Sequence, residues 1–284
     1  MKQAKKYIDN KIDKASLKLS LRKHKKDIIF WISALVIVFL ILLFVCFDDD
    51  GFFLVLSSLI QLLSFCLIFL KIEDFQNVSG LSGNSLIIYA IVFSTRFIST
   101  VFESGYIPDD TASLWIYELS TFFSFIILVY ILACIYEFYS ETADIQVDNK
   151  LPFYYFGIPC FIIALIFKAD FNDDLLTDFL WAFSMYYETF AIIPQIVLFA
   201  NKKGQIEKFT SHYIALCGLS RLFSLIFWWG TFSELNTVED YFTGYFVKYF
   251  ILGAQILQLI LMGDYYYLYF KSLWKGKQIN TFDI

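Results

Sequence analysis

Four charged side chains, Arg96, Glu188, Arg221 and Asp264, stand inside runs otherwise apolar enough to cross a bilayer. Each costs about 2.5–3.5 kcal/mol at the centre of an inserted helix, so such residues line a polar interior instead of facing lipid. Guanidinium groups hold carboxylates through paired N–H donors, so the implied chemistry is the binding or passage of something polar between helices. Arg96 either meets such a ligand or pairs with Glu188. Asp264 is expected to pair with Arg221 across the bundle and act as a switch. Trp181 and Glu188 are seven residues apart, as are Arg221 and Trp228, which puts each pair on one helix face. The indoles either pack a ligand side chain or mark the membrane interface.

Nothing in the chain points to catalysis. It has two histidines, His24 and His212, no His/Cys cluster with metal-ligand spacing, no phosphate-cradling glycine loop and no nucleophile elbow. No cofactor or metal is expected, and the basic residues flank a membrane segment instead of forming a nucleic-acid surface.

The elements that must hold these residues are transmembrane helices. Hydrophobic residues make up 58% of the 284 and aromatics 21%, with a mean hydropathy of +0.62; charged residues are 17%, against about 25% in soluble domains. Ile28–Phe47 is an uncharged run of 20 residues, the length that crosses a hydrocarbon core of about 30 Å. Further spans are predicted at Phe52–Leu70, Ser85–Phe102, Ser113–Tyr136, Pro152–Phe167, Phe179–Ala200, Tyr213–Phe232 and Tyr245–Phe270, eight in all. Cys46, Cys66, Cys134, Cys160 and Cys217 all fall in apolar runs, which suits free thiols better than a disulfide framework.

Ten Lys and Arg residues crowd the first 27 positions, so the N-terminus is expected in the cytosol. Eight spans return the C-terminus there, where Lys271, Lys275 and Lys277 agree. The opposite loops are acidic, as at Asp48–Asp50. The acidic stretch Glu137–Asp148 is the one poor fit, since it falls on the cytosolic side. The predicted organisation is a basic arm (1–27) able to dock on anionic lipid, an extra transmembrane helix and turn (28–50), a seven-helix domain (51–271) and a cytosolic tail (272–284). No cleavage site follows the first apolar run, which reads as a retained anchor.

Arg96-x-x-Ser99-x-x-Phe102 recurs as Arg221-x-x-Ser224-x-x-Phe227. With the first helix set aside, these lie on the second and sixth of seven helices, as two parallel three-helix repeats joined by a linker helix would require. Pro194-Gln195, in the first helix of the second repeat, is a candidate hinge, because a proline removes a helix hydrogen bond.

From about Leu70 to Lys277 the chain resembles the ER-lumen-protein retention receptors, or KDEL receptors. The resemblance rests on Ser79-Gly80-Leu81-Ser82-Gly83, Val92-Phe93-Ser94-Thr95-Arg96-Phe97, Trp181 to Glu188, Ala191-Ile192-Ile193-Pro194-Gln195, Ser211-His212-Tyr213, Gly218-Leu219-Ser220-Arg221, Asp264 to Tyr269 and Lys275-Gly276-Lys277. It implies an all-α fold similar to SWEET and other PQ-loop transporters, and capture of C-terminal peptides of luminal proteins for vesicular return from Golgi to ER. By that resemblance the ligand residues are Arg96, Phe97, Asp178, Trp181, Glu188, Arg221 and Trp228. Asp264 serves recycling, and Lys275 and Lys277 engage a vesicle coat. The departures are as informative. Leu54 and Thr231 stand where the family has arginines, Gln61 where it has a pH-linked histidine, Ser99 where it has an aspartate, and Ser220 where it has a tyrosine. Such losses weaken carboxylate capture and leave open a transporter of a small polar solute, or a scaffold without ligand.

Overall fold

Apolar runs separated by short polar turns give helices, and helices are what the chain forms. A computed structural model describes residues 51–103, 111–168, 174–201, 206–232 and 243–275, all within one compact unit that covers 46–284. The basic arm, the run Ile28–Phe47 and Lys277 lie outside the described residues. The helices are α1 (Phe52–Phe75), α2 (Gly83–Phe102), α3 (Thr111–Ala133, continued by a π-turn Cys134–Phe138), α4 (Ile145–Asp148), α5 (Tyr154–Ile166), α6 (Leu175–Thr189), α7 (Ile193–Asn201), α8 (Lys208–Gly230) and α9 (Thr243–Lys275). Among the described residues six apolar segments are long enough to cross a membrane: Phe52–Phe75, Gly83–Phe102, Leu114–Phe138, Leu175–Asn201, Lys208–Gly230 and Phe246–Lys271. α5, at 13 residues, is shorter. The expected all-α membrane architecture is found, and the described cysteines are free thiols.

The packing has an internal pattern. α3 contacts both α1 and α2, and α9 contacts both α6 and α8, so the third helix of each half sits between the first two. The halves join where α1 meets α8 and α2 meets α6, the first helix of each against the second of the other. That is the arrangement of two parallel repeats, and it brings the second-helix arginines toward one centre.

The turn between α1 and α2 closes one end of the bundle. Lys71 Nζ is buried, donates to the Ser79 carbonyl (2.9 Å) and Thr210 Oγ1 (3.1 Å), and pairs with Glu207 (2.7 Å). Gln195 accepts from Ser82 N–H (2.9 Å) and donates to the Gly80 carbonyl (2.8 Å), which ties α7 to the same turn. Asp144 accepts from Gly80 N–H, and Asp148 accepts from Ser82 Oγ, Asn84 N–H and Asn84 Nδ2. Asp148 thus places a carboxylate at the N-terminus of α2, where unpaired N–H groups and the helix dipole favour an anion. The acidic stretch that fits the charge count poorly supplies these caps.

Pro194 acts differently from a kink inside a continuous helix. The predicted span Phe179–Ala200 is two helices, with α6 ending at Thr189 and α7 starting at Ile193. Pro194 occupies the second position of α7, where a missing N–H costs no hydrogen bond. The intervening turn closes with Phe190 N–H to Tyr187 O, Ala191 N–H to Glu188 O and Ile193 N–H to Phe190 O.

Candidate functional site

Each half contributes one buried arginine at the same place in its repeat, and α6 supplies the acid between them. Arg96 Nη2 and Arg221 Nη1 both lie 2.7 Å from Glu188 Oε2. All three residues are buried. Further donors are engaged: Arg96 Nε to Ser184 Oγ (3.3 Å) and Arg221 Nη2 to Ser220 Oγ (3.0 Å). The Glu188 carbonyl accepts from Gln258 Nε2 of α9 (3.1 Å), so the third helix of the second half also grips this position. Two cations against one anion leave a single net positive charge in the centre of the bundle.

A cavity of about 20 Å³ opens beside this cluster. Arg96, Glu188, Arg221, Trp181 and Trp228 line it, with Leu54, Ser57, Ser58, Gln61, Phe93, Tyr117, Thr121, Met185, Ser224 and Gln255. The two indoles meet edge to face, centroids 5.2 Å apart, as one wall. Gln61 Nε2, Arg221 Nε, Glu188 Oε1 and Gln255 Oε1 are buried and have no hydrogen-bond partner among the described residues. Two donors and two acceptors therefore remain on cavity-lining residues, and buried polar groups of this kind bind a polar guest or water.

The structure separates the expected site residues into groups. Arg96, Glu188, Arg221, Trp181 and Trp228 come together. Phe97 does not join them; its ring packs on Phe122, centroids 5.3 Å apart, on the α3 side of α2. Asp178 is buried in the first turn of α6 and is not among the cavity's lining residues. The expected Arg221–Asp264 pair is replaced by Arg221–Glu188. Asp264 lies on the exposed face of α9 while its neighbour Tyr265 is buried, so the helix turns the aspartate away from the centre. Gln195 braces the α1–α2 turn, as described above. Lys275 is the last residue of α9.

The positions of departure from the resemblance also meet here. Ser220 Oγ donates to Gln61 Oε1 at 3.1 Å, and Ser57 Oγ lies 3.1 Å from Ser220 Oγ. Leu54 is a buried wall residue. Thr231 Oγ1 donates to Phe227 O at the end of α8, and Ser99 Oγ donates to Thr177 O at 2.8 Å. His212, at the start of α8, has its Nδ1 2.8 Å from the Tyr269 hydroxyl. Reasoning from charge passed over Ser57, Tyr117, Thr121 and Gln255. A signal existed in α1, where Ser57, Gln61 and Ser64 recur at helical spacing within an apolar run.

The model of the ER lumen protein retaining receptor family matches residues 77–231, more than half of the chain. The chain belongs to this family. The chain is 28% identical to human ER lumen protein-retaining receptor 2 over 225 residues, 79% of this chain and 95% of that protein. It is 30% identical to mouse ER lumen protein-retaining receptor 3 over 229 residues, 80% and 96% of the two chains. An ER lumen protein-retaining receptor of Entamoeba histolytica is 29% identical over 224 residues, 79% and 95%. The matched segment of this retaining-receptor family member carries Arg96, Trp181, Glu188, Arg221 and Trp228, hence the whole charged cluster with its indole wall. The family is one of receptors, not enzymes.

Proposed function

We propose that this chain is a membrane receptor of the ER and Golgi that binds C-terminal retention signals of luminal proteins and returns them to the ER, with altered ligand specificity. The observation that carries this reading is the buried Arg96–Glu188–Arg221 cluster beside the Trp181–Trp228 wall. Its net positive charge suits a peptide carboxylate, and the indoles suit the side chain that precedes it. Leu54 and Thr231 remove two cationic partners. Because charge-assisted hydrogen bonds contribute about 1.5–3 kcal/mol each, their loss shifts affinity and selectivity. Both termini face the cytosol in this reading, Lys275 and Lys277 engage a vesicle coat, the basic arm lies against anionic lipid, and residues 51–271 form the receptor-like domain behind the added segment 28–50.

Capture of lumen-exposed C-terminal peptides by the purified protein, at pH 5.5 and 7.4, tests this. A set of related tetrapeptide endings bound, and lost in Arg96→Ala, is the expected result. Failure to hold any peptide, with uptake of a small polar solute into proteoliposomes, would establish the transporter reading, which the loss of the Leu54- and Thr231-position arginines favours.

A further inference from the structure

The cavity beside the charged cluster has a neutral side as well as a charged one. Gln61 of α1 and Gln255 of α9 bring amides to its wall, and both residues are buried. The four lining atoms without a partner among the described residues are two donors, Gln61 Nε2 and Arg221 Nε, and two acceptors, Glu188 Oε1 and Gln255 Oε1. Contacts already made in the site gather them. Ser220 Oγ accepts from Arg221 Nη2 (3.0 Å) and donates to Gln61 Oε1 (3.1 Å), which fixes the Gln61 amide beside that guanidinium with Nε2 unused. Arg221 Nη1 holds Glu188 Oε2 at 2.7 Å, so Oε1 is the second oxygen of a carboxylate already anchored. Gln258, which shares a face of α9 with Gln255, donates to the Glu188 carbonyl and brings Gln255 to the same level.

Hydrogen-bond capacity selects the guest. A buried polar group left unpaired costs about 1–3 kcal/mol, so a fitting guest offers acceptors to the two donors and donors to the two acceptors. A carboxylate has no donor, and it would face Glu188 Oε1 as a second anion. An ammonium has no acceptor, and it would face two guanidinium groups. A hydroxyl brings one donor to two acceptors. A primary carboxamide carries two N–H donors and a carbonyl oxygen with two lone pairs, which satisfies all four atoms. Size agrees with this choice. The cavity's volume of about 20 Å³ exceeds the roughly 10–15 Å³ that one water needs, and it admits the end of a side chain instead of a larger body. The Trp181–Trp228 wall offers the apolar stem of that side chain a surface to lie on.

We propose that this cavity recognises a primary carboxamide, the side-chain end of an asparagine or glutamine in the peptide that the receptor reading assigns to the site. The carrier of the group rests on that reading; the group itself rests on the four atoms.

Calorimetric titration of the purified full chain tests this, with C-terminal tetrapeptides that differ only by Gln for Glu or Asn for Asp at a single position, and with free glutamine and asparagine. At one position the amide is expected to bind at least about tenfold more tightly than the acid. Gln255→Met, close in volume, removes one acceptor and should reduce that ratio about fivefold, the worth of one hydrogen bond. Peptides bound by the unmodified protein without amide preference at any position overturn the carboxamide and leave the receptor reading in place, with water alone in the cavity. Free glutamine or asparagine bound while every peptide fails supports the carboxamide and overturns the receptor reading. No binding of peptide or free amide overturns both.

Discussion

Arg96 and Arg221, each the first residue of an Arg-x-x-Ser-x-x-Phe segment, donate to the same carboxylate oxygen, Oε2 of Glu188, at 2.7 Å. The two halves of the bundle are thus fastened at a shared anion by residues at matching positions of their repeats. α2 reaches it through its contact with α6, and α8 from the other half-interface.

Glu188 should therefore matter more to stability than either arginine alone. Glu188→Gln leaves two guanidinium groups buried without a counter-charge, and breaking a buried pair costs about 3–5 kcal/mol. Arg221→Gln keeps the Arg96–Glu188 pair and removes the excess positive charge. The expected order of thermal unfolding midpoints in detergent is wild type, then Arg221→Gln, then Glu188→Gln. An equal loss in both variants would show that the shared oxygen does not couple the halves.

Ligand binding should depend weakly on pH. Ser220 Oγ donates to Gln61 Oε1, so the position that carries a titratable imidazole in the resembling receptors holds an amide whose charge is the same at pH 5 and pH 8. Peptide affinity is expected to change by less than about tenfold over that range, 1.4 kcal/mol. A steep gain at acidic pH in titration of the purified protein would move the switch from position 61 to Glu188.

Helices and the charged centre were legible because both leave strong marks: apolar runs of membrane length, and charges within them that need partners. The pairing was not. Arg221 had two acids to choose from, and spacing does not reveal that Asp264 faces outward while Glu188 faces in. The neutral half of the cavity was also hidden, since Ser57, Thr121 and Gln255 cost little in an apolar helix and stand out only once neighbours are known. Asp144 and Asp148 read as a poor fit in a topology count, because charge counting does not see that they cap a turn and a helix start.

Asp148 gives a stability signature with a definite sign. Burial pushes its carboxyl above the usual range, against the donors from Ser82 and Asn84 that favour the ionised form. A raised value in the folded protein means that the fold holds the proton more tightly than the unfolded chain does. Its contribution is full below the ordinary aspartate range and is lost as pH rises through the folded value. Asp148→Asn should remove that part of the acid-side slope in unfolding midpoints measured from pH 3.5 to 7. An unchanged slope would assign it to other groups.

Close packing at Gly83 predicts a rescue. A Cβ there would collide with the Tyr136 hydroxyl, which the π-turn at the end of α3 brings against the start of α2. Gly83→Ala should destabilise by about 1–3 kcal/mol, the usual cost of overpacking. In a Tyr136→Phe background the crowding oxygen is gone and the cost should fall below half. Additive losses in the double-mutant cycle would mean that the glycine is needed for another reason.

Orientation and recycling can be tested together. Asn77 heads the only Asn-x-Ser/Thr sequon in the chain, in the turn that Lys71, Gln195 and Asp144 brace. With cytosolic termini this turn is cytosolic, so native Asn77 should carry no glycan in a eukaryotic host, while a sequon engineered into residues 234–241 should be modified. A glycan on Asn77 would reverse the topology. With orientation fixed in this way, Lys275→Ser with Lys277→Ser removes the proposed coat determinant. The ten basic residues of the N-terminal arm still hold the chain in place. The double variant is expected to insert normally and to shift from the ER and early Golgi toward the later Golgi by fluorescence microscopy. Unchanged steady-state distribution with correct topology would rule out recycling through these lysines and strengthen the transporter reading.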